Sequence, residues 1–152
     1  SIPTYKSKDQ IAIVGLDVAV ASASSKTELW SALQGKEHMV GEFSSVILDL
    51  STIKFPPNDI KQSLTQQTIL LRLSQNAVDE VEYLDRVGVW IGMGTDPKVC
   101  RYGARWRVAQ WADEAIKDKE WIKEQRDLII PPLTSAGVLG TMPNIPANRI
   151  NS

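Results

Sequence analysis

IAIVGL, residues Ile11 to Leu16, is a continuous β-branched apolar run that closes on a glycine and a leucine. A run of this length and composition reads as a strand buried on both faces, the kind found in parallel sheets. A second run, VGVWIGMG from Val87 to Gly94, has the same character. Between them lies LTQQTILLRLSQNAVDEV. Here Ile69, Leu70, Leu73, Ala77 and Val81 recur at helical spacing, with Leu71 and Val78 widening the stripe. Two apolar strands separated by one apolar helix predict an α/β fold. The two runs are expected side by side in one sheet, with the Gln66–Val81 helix packed on it.

The remaining elements follow from local chemistry. Ser25-Lys26-Thr27-Glu28 is a capping box, which predicts a helix from Ser25 to Gln34. Leu29, Trp30 and Leu33 lie on one of its faces, and Gly35 offers a left-handed stop. VILDL suits a short strand, and Phe55-Pro56-Pro57 breaks any helix. Asp96 can cap a helix whose first position is Pro97 and which runs to about Asp118. DKEWIKEQRD reads as a separate short helix or a loop, ended by Pro131-Pro132. No repeat or low-complexity tract is present.

Composition narrows the function classes. A chain of 152 residues is one domain by length, and its 43% hydrophobic and 23% charged residues are ordinary for a globular protein. A net charge of −1 offers no electrostatic case for nucleic acid or an anionic membrane. The single cysteine, Cys100, forbids an internal disulfide and fits a reducing compartment. The apolar runs are far short of the ~20 residues that span a bilayer, and SIPTYKSKDQ has no apolar signal-peptide core. These features point to the cytoplasm.

No catalytic constellation emerges from the residues alone. GMGTDP could cradle an anion at a helix start, but it lacks the third glycine of the dinucleotide fingerprint and any Gly-Lys-Ser/Thr. A tight turn is the simpler reading. His38, the only histidine, sits between charged and polar neighbours and reads as a surface loop. Cys100 lies on a helix with no motif around it, so no role is expected for it. Asp79-Glu80 and Asp113-Glu114 are adjacent in sequence and diverge on helices. Arg101, Arg105 and Arg107 read as a solvated face. No cofactor and no metal site is expected.

Four stretches in order resemble the opening of β-ketoacyl synthase (condensing enzyme, thiolase-like) domains. IAIVGLDVAVASASSKTELWSALQGKE resembles the family's first strand and short helix. KFPPNDIKQSLTQQTILLRLSQNAVDEV resembles its short helix, paired glutamines (Gln66, Gln67) and long apolar helix. VGVWIGMGTD resembles its second strand. GTMPNIPANRIN resembles the segment before the nucleophile, with Asn144, Ala147, Asn148, Arg149 and Ile150 on commonly occupied positions. Within the family, the domains of bacterial polyunsaturated fatty acid and related polyketide-type synthases are the most similar. Departures are DVAVASASS after the first run, a shortened Phe43–Pro57 region and a short Val81–Val87 link.

The resemblance implies a partial thiolase-like α/β fold, a mixed sheet with packed helices. It makes residues 1–152 one incomplete ketosynthase-like domain that stops before the nucleophilic cysteine and the two histidines (or His and Asn) of the second half. The family joins an acyl thioester to a malonyl carrier protein with loss of carbon dioxide, through an acyl-cysteine. The implied partners are the remainder of the domain, an acyl carrier protein and a second subunit in a homo- or heterodimer. By position, Val138, Leu139 and Met142 become candidates for acyl-pocket wall or dimer contact; simple core packing is the competing reading. Each methylene buried in such a pocket contributes about 0.8 kcal/mol. Two other functions stay open: a catalytically silent, chain-length-factor-like partner, and a small α/β domain that binds an anion at GMGTDP. The isolated chain is expected to be inactive in condensation, with unpaired sheet edges and an uncovered tail that call for a partner.

Overall fold

The computed structural model describes residues 11–41, 46–79, 81–82, 86–112 and 118–152. The helices among them are α1 (Lys26–Gly35), α2 (Pro57–Lys61), α3 (Thr65–Val78), α4 (Pro97–Trp111), α5 (Lys119–Ile129), α6 (Ser135–Thr141) and α7 (Ile145–Ile150). The chain divides into two compact units, Ser1–Phe43 with Leu73–Arg86 and Ser44–Arg72 with Val87–Ser152, the division falling within α3.

The expected α/β architecture is overturned. No sheet forms among the described residues, and the strand-type pairing seen there is one isolated antiparallel bridge, Val20 with Ala23. Those two residues exchange backbone bonds of 2.9 Å around a turn in which Ala21 adopts a φ of 50°. Ile11 and Ile13 are 95% and 88% exposed, and Trp90 is 89% exposed. The partial thiolase-like mixed sheet, and the adjacency of the two apolar runs within it, are therefore not what this chain builds. The reason lies in where backbone bonds come from. A helix satisfies its own N–H and C=O groups, whereas a strand needs neighbours, and none of the candidate strands finds one among the described residues. VILDL likewise forms no strand: residues 46–49 are irregular and lead into a turn at Leu50.

The starts of α1 and α4 track the local signals, and several helix ends do not. In the first unit, the Ser25 hydroxyl accepts from Glu28 N at 3.3 Å. The Glu28 carboxylate reaches back to Ser24, accepting from its backbone N at 2.7 Å and its hydroxyl at 3.0 Å. These bonds hold the Glu28 carboxyl below its ordinary pKa, the backbone donor of Ser24 contributing most. The left-handed stop falls on Lys36 (φ 52°), one residue after Gly35. α1 buries Ala32 and leaves Trp30 and Leu33 exposed. Later in this unit, Asn76 donates to the Asp17 carboxylate at 2.7 Å.

In the second unit, α3 begins at Thr65, one residue ahead of expectation, and ends at Val78, three residues short of it. α4 is capped by Asp96, which accepts from Lys98 N at 2.8 Å, and it stops at Trp111. The expected continuation through residues 113–117 lies outside the described residues. Asp118 starts a new helix instead, accepting from Glu120 N. α5 packs on α4, burying Val108 and Ile130. Arg105 locks the pair by donating to the Asp127 carboxylate and to the Ile130 carbonyl, both at 2.7 Å. The tail, expected to lie uncovered, folds as α6 and α7 and buries Ala136, Gly137, Gly140, Pro146 and Arg149. No helix among the described residues is long and apolar enough to cross a membrane.

Candidate functional site

A buried polar junction lies in the second unit. Gly140 of α6 lies against the backbone between α2 and α3. A Cβ built there would stand 2.6 Å from the Gln62 carbonyl oxygen and 2.7 Å from Ser63 Cα. That approach lets Leu64 N donate to the Gly140 carbonyl at 3.0 Å. Only a residue without a side chain permits it. Thr134, the N-cap of α6, accepts from Gly137 N at 3.1 Å and donates to the Gln62 side-chain oxygen.

This backbone contact brings three polar side chains together. Gln67 is fully buried on α3, one helical turn before Leu71. Its amide nitrogen donates to the Met142 carbonyl at 3.3 Å. Arg149, 7% exposed on α7, donates to the Ser63 hydroxyl at 2.6 Å and to the Gln67 side-chain oxygen at 3.3 Å. The Ser63 hydroxyl in turn donates to the Asp59 carbonyl at 2.7 Å. The Arg149 guanidinium also lies 5.4 Å from the centre of the Phe55 ring, a cation–π distance. Burial pushes the Arg149 pKa down from the usual arginine value, and the nearby Asp59 charge opposes that.

Chemically the junction is a clamp. The Ser63 hydroxyl is bonded to a main-chain carbonyl and to a cation, and no side-chain base is among the hydrogen-bond partners it has in the described residues. What the arrangement does is tie α7 and the α6–α7 turn to α2 and α3 across 75 to 86 residues of sequence.

The residues singled out in the sequence are scattered by comparison. Val138 and Leu139 lie on α6 and Met142 at its C-terminal cap, exposed by 40%, 40% and 38%. Cys100 is exposed on α4. His38 is exposed in the irregular segment after α1, as a surface loop requires. Arg101 and Arg107 are exposed, while Arg105 is the ion-paired lock described above. Asp79 is exposed; Glu80 and the Asp113-Glu114 pair lie outside the described residues. In GMGTDP, Asp96 places its own carboxylate at the start of α4, where a bound anion would have to sit. No group of three or more His, Cys, Asp or Glu side chains able to hold a metal occurs among the described residues.

The clamp itself was not singled out as a site, although Gln67 and Arg149 both fall in stretches that resemble the condensing enzymes. One signal was available. Leu64, Gln67 and Leu71 share one helical stripe, and a glutamine between two leucines on a buried stripe needs a polar partner. The identity of that partner was out of reach, because Arg149 lies 82 residues away. Comparison of the chain with family models, curated proteins and solved structures finds no match.

Proposed function

We propose that this chain is part of a β-ketoacyl synthase-type condensing domain and contributes structural support, not the reacting groups. One observation carries the reading. Lys54–Val81 and Gly140–Asn151, two stretches that resemble the family independently, meet in a single buried clamp through Ser63, Gln67, Gly140 and Arg149. Chance resemblance in two distant stretches carries no requirement that they touch. The support comes from this helical part of the second unit alone, since the strand-like runs form no sheet.

In this reading the whole protein condenses an acyl thioester with a malonyl carrier protein, and an acyl carrier protein delivers the substrate. The cysteine nucleophile and the two histidines, or His and Asn, that the reaction needs are not supplied by these 152 residues. Cys100 is no substitute: it is exposed on α4 and falls at none of the positions the family's nucleophile would occupy. Val138, Leu139 and Met142 then form an exposed apolar surface suited to a subunit contact or an acyl-pocket wall.

Sequencing the transcript across the Ser152 codon tests the proposal. An open frame continuing into a cysteine, with histidines further on, supports the enzyme. A frame of the same kind with the cysteine substituted supports the catalytically silent partner instead. A stop codon, or a continuation with neither pattern, overturns both.

A further inference from the structure

In the first unit the apolar run Ile11–Leu16 is fastened at one end only. Gly15 lies against the Ala77 carbonyl near the end of α3, too close for any side chain to fit there. Asp17 accepts from the Asn76 side-chain amide at 2.7 Å, a second tie to the same helix turn. Ahead of these ties Ile11, Ala12, Ile13 and Val14 are all exposed, and Leu16 between them is exposed too. None of the six takes part in a backbone–backbone hydrogen bond among the described residues. None carries a charged or polar side chain. Side chains alternate along a strand, so this run, once paired, has apolar surface on both faces.

We propose that Ile11–Leu16 is a self-association surface, through which two copies of this chain pair their runs antiparallel about a twofold axis. The chemistry of the run selects its occupant. A partner recognised by charge or by side-chain hydrogen bonds finds nothing here to read. What fits is an uncharged, β-branched strand, whose backbone bonds to the open one and whose side chains cover the same apolar surface. Every second copy presents that strand. The net charge of −1 sets little repulsion between copies. Antiparallel pairing makes the contact isologous, each copy giving and receiving the same bonds, so that the pair closes. Six residues a side is a small contact, well under the roughly 1,200 Å² of a standard interface, so the association is weak, with a Kd on the order of 100 µM. Nothing in the pairing depends on the condensing-enzyme reading, and the transcript result leaves it untouched.

The test is sedimentation of the full chain between about 10 µM and 1 mM, with amide hydrogen exchange measured at both ends of that range. A monomer–dimer equilibrium is expected, with the amides of Ile11–Leu16 gaining protection as concentration rises. Ile13→Lys sets like charges into the contact and weakens the dimer at least about tenfold. Val14→Pro removes a backbone donor without adding charge and weakens it likewise. Both positions are exposed, so the fold persists in each variant, read as an unchanged circular dichroism spectrum. Val138→Lys, on the exposed side of α6, leaves the dimer as it was. A monomer throughout the range overturns the proposal. So does a dimer that survives both Ile13→Lys and Val14→Pro, a dimer that Val138→Lys abolishes, or growth into open-ended aggregates without a closed pair.

Discussion

Ile11–Leu16 and the clamp around Gln67 invert the usual relation between polarity and burial. The first is the most uniformly apolar run near the start of the chain, and four of its six residues are large hydrophobics at 59% exposure or more. The second is built from a serine, a glutamine and an arginine, each 8% exposed or less. The difference is one of available partners. An extended run must borrow both its hydrogen bonds and its covering layer from other segments. The clamp's helices satisfy their own backbones, so burial costs only the side-chain polar groups, and those are bonded to one another.

Gly140→Ala attacks the clamp at its tightest point and is expected to have the largest effect. The new methyl meets backbone at 2.6–2.7 Å, and backbone cannot rotate away as a side chain can. A loss of about 3 kcal/mol is expected, read as a lower urea midpoint at unchanged slope. A midpoint within error of the parent would show that the α6 contact is not as close as described.

Gln67→Leu sharpens the same point by keeping the volume and removing the bonds. It strands a donor of Arg149 and the Met142 carbonyl, for an expected loss of about 2 kcal/mol. The double variant with Arg149→Met should cost less than the two singles added together, because one coupled network is being removed. Strict additivity would mean that the two side chains act separately.

Thr134→Ala removes the cap of α6 and its link to Gln62, with an expected loss of about 1 kcal/mol. Hydrogen exchange at Gly137 N should rise selectively, and protection retained there would contradict the cap.

In the other unit the expected responses are small. Ile13→Lys replaces an exposed side chain and should leave the midpoint within about 0.5 kcal/mol of the parent. A large loss there would mean that the apolar run is covered after all. The α1 capping box provides a pH dependence. The Glu28 pKa is lower folded than unfolded, so its contribution is complete above the ordinary value of 4.5 and fades as pH falls through the folded value. A Glu28 carboxyl titration by NMR should show a midpoint below 4.5, with Ser24 amide protection fading over the same range. A midpoint at or above 4.5 would remove the box.

What was legible in the residues was local. Ser25 and Glu28, Asp96 and Pro97, and the breaks after Pro56 and before Pro131 marked where helices start and stop, because caps and prolines act within a turn of their own position. The same locality explains the errors. Gly35 and Lys36 can both end α1, and the choice between them is settled by which carbonyls the following amides reach. IAIVGL and VGVWIGMG have strand composition, but a strand exists only when another one pairs with it, which no property of a single run can guarantee. Tertiary structure alone decided that Gln67 and Arg149 meet, that Gly140 must lack a side chain, and that Val138, Leu139 and Met142 face outward. Each of these is a fact about segments tens of residues apart, brought together by packing that local chemistry permits but does not specify.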